Sequence, residues 1–282
     1  MNNTTPLISI ILPSYNRAGY VGETIESCLA QSYQNFELII VDDFSRDNST
    51  SVIEQYAFQD SRIKLIKNTV NKKLPATLNI GFREARGEYY TWISDDNLFA
   101  PNALEVMLAE IQKFLDIGLV YADYTTIDDG GSKVARIYQE PPEFLPIRDC
   151  VGACFLYSAD AARQAGEYNE ELFLIEDYEY FLRMGLITKM HHIPESLYLY
   201  RVHDGSLTKS RKEEIRLAKN RLKATFEGKY KIPGHLQHIY ELYMWFIGKR
   251  DIWSYASLAS IILKNPITLL AYILQNLRRL KS

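Results

Sequence analysis

Ile8-Ser9-Ile10-Ile11-Leu12-Pro13-Ser14-Tyr15-Asn16-Arg17 is the stretch on which the reading of the fold turns. Residues 7–12 form an apolar run rich in isoleucine and bounded by Pro13, the pattern of a strand covered on both faces. It reads as the first strand of a parallel sheet. Val21, Ile25, Cys28 and Leu29 then recur at helical spacing, and residues 37–41 supply a second β-branched run that ends in Asp42-Asp43. The alternation continues with a helix near 50–58, a strand at 63–66, a helix at 76–85 and a strand at 89–93. Pro101 opens a further helix in its first turn, and residues 119–122 close the series as a strand. This order predicts a doubly wound α/β layer, in which ligands bind beyond the carboxyl ends of the strands. The residues to watch there are Ser14, Tyr15 and Asn16, then Asp42 and Asp43, then Asp95 and Asp96.

After about residue 123 the style changes. Asp128-Asp129-Gly130-Gly131 and a polar strand at 133–138 read as a hairpin, followed by a strand near 153–157, a helix starting at Asp177 and a strand at 197–202. A charged helix over 211–226 leads to Pro233-Gly234, a turn signal that looks like a boundary. We therefore expect a main domain over 1–225 and a helical extension over 226–282. From Trp245 onward the chain carries six positive charges and one negative among apolar helical stretches, none of them long enough to span a bilayer. That tail reads either as an amphipathic element lying on a membrane or as a helical cap packed on the domain or on a second subunit.

Composition narrows the partners. With 32 Lys and Arg against 35 Asp and Glu, the net charge of −3 supplies no pull toward nucleic acid. Cys28, Cys150 and Cys154 are odd in number and lack metal-ligand pairing, so free core thiols and a cytoplasmic location are expected. The N-terminal stretch has no basic lead-in, and its six-residue apolar run is too short for a signal peptide, so secretion is not expected.

Asp42-Asp43 and Asp95-Asp96 are carboxylate pairs at two strand ends, where like charges repel unless a cation or donor groups neutralise them. Either pair alone also reads as a turn or a helix cap. Two pairs in matching positions favour a hard divalent ion, Mn²⁺ or Mg²⁺, which takes one or two carboxylates together with substrate phosphates.

Residues 10–16, residues 36–45 ending in Asp42-Asp43-Phe44-Ser45, and Gly87-Glu88-Tyr89 leading to Ser94-Asp95-Asp96 resemble inverting family-two glycosyltransferases of the GT-A fold. Ile175-Glu176-Asp177-Tyr178 is similar to that family's acidic motif and Tyr200-Arg201-Val202-His203 to its late histidine motif, so the likeness covers roughly residues 6–205. It implies a Rossmann-like nucleotide-diphospho-sugar transferase fold with a C-terminal helical extension. By the same resemblance Pro13, Tyr15 and Arg17 line a nucleotide pocket, Asp43 accepts a hydrogen bond from the base, Lys73 approaches the nucleotide and Asp95 touches the ribose. Asp96 ligates the metal, with His203 as a second ligand, and Asp177 is the general base. Many members carry a third acid two positions before the Asp-Asp pair, and here Ile93 stands there, which leaves a lean metal site.

The implied reaction is metal-dependent, inverting transfer of a sugar from a nucleotide diphosphate donor, UDP foremost, to a sugar or lipid-linked glycan acceptor. The implied setting is bacterial surface-polysaccharide synthesis at the inner face of the membrane. Bland readings stand beside it: Lys73 as an exposed lysine near a helix start, His203 as a core or surface histidine, Asp177 as an N-cap. Gly152-Ala153 reads as a close backbone approach to the sugar or as a packed strand start. A dinucleotide-binding dehydrogenase is disfavoured because no G-x-G-x-x-G follows the first strand. A non-catalytic scaffold relative is the alternative of another class, against which the joint presence of Asp96, Asp177 and His203 argues.

Overall fold

The computed structural model describes residues 5–234 and, beyond them, 236, 237, 239–241 and 244. The expected tail from Trp245 lies outside the described residues. Strands β1 (Ile8–Ser14), β2 (Phe36–Asp42) and β3 (Ile63–Lys67) alternate with helices α1 (Val21–Leu29), α2 (Ser49–Gln59) and α3 (Lys73–Arg83) before β4 (Tyr89–Trp92). All three neighbouring strand pairs among these are parallel, in the order β3-β2-β1-β4.

Both faces of β1 and β2 are covered, which is why they read as continuous apolar runs. Ile8, Ile10, Leu12, Leu38 and Ile40 enter one core with Ile25 and Ile53 of α1 and α2. Ile11, Ile39 and Val41 enter the opposite core with Leu78 of α3. Helix α3 lies so close to the sheet that a Cβ on Gly81 would stand 2.4 Å from Ile11 Cγ2.

Sheet order beyond β4 departs from a continuing parallel series. β5 (Leu98–Phe99) and α4 (Ala103–Gln112) precede the long β6 (Ile117–Ile127), β7 (Lys133–Ile137), β8 (Phe155–Ser158) and β9 (Lys189–Arg201). β8, not β6, pairs with β4, and it does so antiparallel, as does β6 with β8. β9 runs parallel to β6 and antiparallel to β5. The expected hairpin forms between β6 and β7, where Asp128 Oδ1 accepts the Ser132 N–H at 2.8 Å.

Helix α5 (Ala159–Ala165) was not expected, and α6 (Glu176–Ile187) begins one residue before the expected Asp177. Its N-cap is Ile175, so Asp177 is not the cap. Helix α7 (Leu207–Ser210) leads to α8 (Lys212–Thr225), whose Leu222 and the following Phe226 join the second core. Leu236 and Ile239 pack on Ile147, and the Tyr230 hydroxyl donates to Leu182 O, so these three residues dock on the main domain. The three cysteines are buried and unbridged.

Candidate active site

The sheet order places a topological switch between β1 and β4, where a cleft opens because neighbouring strands connect in opposite directions. Pro13 sits at its mouth. Ile93 N–H donates to Ile11 O and Asp43 N–H to Ser14 O, so odd-numbered residues of β1 turn their backbone toward β4 and even-numbered ones toward β2. Pro13 therefore aims its missing donor at β4, beyond the last β1–β4 register pair, Ile11 with Trp92, and leaves no ladder bond unmade. Tyr15 follows, 44% exposed at the cleft.

Asp95 accepts the Tyr15 N–H at 2.9 Å. Arg17 Nε lies 3.9 Å from Asp95 Oδ1 and 3.8 Å from Asp96 Oδ2, yet this buried N–H makes no hydrogen bond. Arg17 Nη2 donates to Gly205 O at 3.1 Å, tying the end of β1 to the loop after β9. Burial, reinforced by the charge of Asp96, pushes the Asp95 carboxyl up to about 7.

Asp43 is used inside the protein. Its carboxylate accepts Asn68 Nδ2 at 2.8 Å and the N–H groups of Lys72 at 2.8 Å and Lys73 at 2.9 Å, and it is nearly fully buried. Three of its roughly four lone-pair directions are taken. Lys73 is the first residue of α3, not a residue ahead of it, and its φ of 67° is left-handed. Its Nζ stands 5.6 Å from the Phe173 ring centre. Asn16, Phe44 and Leu174 are the other non-glycine residues with positive φ among those described. Asn16 and Phe44 follow β1 and β2, Lys73 opens α3 and Leu174 comes just before α6, so backbone strain sits at element ends.

His203 Nε2 and Asp96 Oδ2 are 3.0 Å apart, while Nδ1 accepts the Gly205 N–H at 3.1 Å. Arg201, which the sequence reading left without a role, is 2% exposed and organises this corner. It donates to Asp96 O, Asp129 O and Glu23 Oε2, and its own N–H donates to Asn97 Oδ1. Its place between Tyr200 and His203 in the late motif was the available signal. Among the described residues no cluster of three or more His, Cys, Asp or Glu forms a metal cage. The donor set fits an ion that arrives with a diphosphate and takes one carboxylate, Asp96, from the protein. His203 fits less directly, because its Nε2 carries the proton that bonds Asp96.

Asp177 lies on the first turn of α6, half-buried, with its Oδ1 accepting the Tyr178 N–H at 2.6 Å. Burial raises its pKa, the charge of Lys219 lowers it and that of Asp149 raises it. Glu176 beside it is 4% exposed, its Oε2 has no hydrogen-bond partner, and burial followed by the charge of Asp177 pushes it up to about 8. For Asp177 the balance is likewise upward from the ordinary carboxylate value. Gly152 needs its φ of 68° for the turn before β8, and a Cβ there would meet Gln139 Nε2 at 2.0 Å.

Residues 9–166 match the family model described as glycosyl transferase family 2. The chain belongs to that family. An uncharacterised glycosyltransferase of Rickettsia felis is 31% identical over 216 residues, which cover 72% of this chain and 35% of that protein. The chain thus matches only about a third of the length of the first such relatives. Among solved structures, S. aureus TarS 1-349 in complex with UDP superimposes with a TM-score of 0.66 at 17% identity, covering 84% of this chain and 70% of that one. The mannosyltransferase PcManGT of Pyrobaculum calidifontis, in complex with GDP-Man and Mn²⁺, gives 0.67 at 16% identity, covering 99% and 81%. These likenesses establish the GT-A fold of the family.

Proposed function

We propose that this chain transfers a sugar from a nucleotide diphosphate donor to a hydroxyl acceptor with inversion, in a divalent-metal-dependent reaction. The observation that carries the reading is the Asp95-Asp96 pair at the β1–β4 switch, with the Arg17 guanidinium within 4 Å of both carboxylates. Tyr15, exposed at the end of β1, offers a ring face to a nucleobase, and Pro13 and Asp43 shape the pocket beneath it. The remaining acceptor direction of Asp43 points the same assignment toward a base N–H, with Asp95 at the ribose and Lys73 near the phosphates. Asp96, with His203 beside it, would hold Mn²⁺ or Mg²⁺. Such an ion supplies Lewis-acid stabilisation to a leaving diphosphate.

Asp177 takes the acceptor proton as the hydroxyl attacks the anomeric carbon. Direct displacement by that hydroxyl inverts the centre. UDP is the first donor to try, supported by the fold shared with TarS, whose structure holds UDP. Surface-polysaccharide synthesis, a glycan or lipid-linked acceptor and a place at the inner membrane face rest on the family resemblance and on the basic tail.

A thermal-shift panel of uridine, guanosine, thymidine and cytidine diphosphates, each with and without Mn²⁺, tests the donor half, since native-state ligands raise the melting temperature. Proton NMR of the product's anomeric signal tests inversion. A retained anomeric configuration, or no stabilisation by any of the four with metal, overturns the reading.

A further inference from the structure

Helix α8 lies beyond the residues matched by the family model, and the sequence presents it as a charged, solvated helix. Two of its lysines are turned inward. Lys219 Nζ donates to Asp149 Oδ2 at 2.8 Å and stands 5.2 Å from the Tyr178 ring centre, while Lys223 Nζ stands 5.5 Å from the same ring. Tyr178 is fully buried and follows Asp177 directly on α6, so α8 brings cations against the turn that carries the acid pair.

We propose that Lys219, anchored by Asp149, is a positioning residue whose charge keeps Asp177 ionised on the acceptor side of the cleft. This rests on the reading of Asp177 as the general base. The groups bearing on Asp177 are Glu176 on its own helix, Asp149 from the loop before β8, Lys219 from α8, Tyr168 from the loop after α5 and Tyr200 from β9. Lys219 is the cation in that set. Burial lowers its pKa, but the charges of Asp149 and then Asp177 outweigh this and hold it above its usual value. Lys223 behaves oppositely, because burial and then the charge of Lys219 bring it down to about 7. Above neutral pH the pair therefore keeps one standing charge, on Lys219.

Around the Lys219 ammonium stand the carboxyls of Asp149, Asp177 and Glu176. Asp149 fixes the ammonium by a direct hydrogen bond. Asp177 Oδ1 accepts the Tyr178 N–H, so Oδ2 is the oxygen left for a hydroxyl proton.

The test needs no substrate. The protein is labelled with ¹³C at aspartate carboxyls, the Asp177 signal is assigned by its loss in Asp177→Asn, and its midpoint is followed by NMR against pH. Lys219→Met should raise that midpoint by about one pH unit, as expected for removal of a nearby opposite charge. Lys219→Arg should restore it. An unmoved midpoint in Lys219→Met overturns the proposal. If that variant does not fold, an unmoved midpoint in Lys219→Gln, which removes the charge but can still donate to Asp149, does so. Full turnover in Asp177→Asn would instead defeat the reading of Asp177 as base and leave the titration result standing.

Discussion

His203 Nε2 lies 3.0 Å from Asp96 Oδ2, and because Nδ1 of the same ring accepts the Gly205 N–H, the proton between His203 and Asp96 belongs to the histidine. A neutral imidazole has one donor and one acceptor nitrogen, so both are assigned. Coordination of an ion through Nε2 then requires that proton to leave and the Gly205 contact to break, whereas Asp96 needs only to exchange a hydrogen bond for the ion. We predict that Asp96→Ala abolishes metal-dependent nucleotide binding, and that His203→Ala weakens it by no more than about tenfold to a hundredfold, the range of a supporting group. Calorimetric titration of the stabilising nucleoside diphosphate, with and without Mn²⁺, reads both. Equal affinity of wild type and Asp96→Ala in Mn²⁺ would remove the ion from the site.

Asp43 joins the end of β2 to the start of α3 through two backbone N–H groups and the Asn68 amide. Asp43→Ala strands these donors in a nearly closed site and should cost on the order of 3 kcal/mol, since hydrogen bonds to a charged group are worth roughly 1.5–3 kcal/mol each and only part is recovered by water. Urea denaturation gives the number. Asp43→Asn, which retains one acceptor oxygen, should lose less. A loss in nucleotide affinity with stability intact would show that the carboxylate serves the base alone.

The parallel half of the sheet was legible because β1 and β2 are buried on both faces, so Ile10, Ile11, Leu38 and Ile39 announce the strand without help from context. β9 was only half visible. Its pairing with β6 jumps from Ile193 to Ser196, and the exposed Pro194 and Glu195 that bulge out there break the alternation a sequence reading depends on. Insertion of β8 between β4 and β6 is a non-local pairing with no sequence signal. The start of α6 was misplaced by one residue because Ile175 caps it without a side-chain hydrogen bond, leaving Asp177 as the only cap-like residue in view. Motif positions such as Asp95 and Asp96 were readable, but their partners were not. That Asp43 holds α3, that Arg201 ties Asp96 to Asp129 and Glu23, and that Lys219 faces inward are facts of tertiary packing.

Tyr230, Leu236 and Ile239 pack on the main domain, so a truncation that spares them falls just before Trp245. A chain ending at 244 should fold and bind nucleotide as the full chain does. It should lose whatever affinity the full chain has for vesicles containing anionic lipid, because six of the basic residues that would meet such a surface are gone. Sedimentation with phosphatidylglycerol vesicles, beside a gel-filtration comparison of the two lengths, distinguishes membrane contact from subunit contact. A 244-residue chain that fails to fold would make the tail a structural cap.

Glu176 and Asp177 are adjacent carboxyls with opposite duties, and two variants separate them. Asp177→Asn removes the base while its side-chain oxygen can still accept the Tyr178 N–H, so turnover should fall on the order of 10²-fold or more with nucleotide affinity unchanged. Turnover within a few-fold of wild type would end the assignment. Glu176 reports through stability instead. Its folded pKa of about 8 stands above the ordinary 4.5, so the folded state binds its proton more tightly than the unfolded chain does. The stability this contributes is complete below about 4.5 and is lost as pH rises through about 8. Asp95 slopes the same way over a lower window, up to about 7, and Lys223, lowered to about 7, slopes oppositely above that value. The difference between wild type and Glu176→Gln therefore isolates one group. Glu176→Gln should gain stability relative to wild type progressively from about pH 5 to pH 8, because it never has to bury a charge. Urea midpoints measured at several pH values across that window give the curve. A flat difference would mean that Glu176 keeps its ordinary carboxylate pKa in the folded protein.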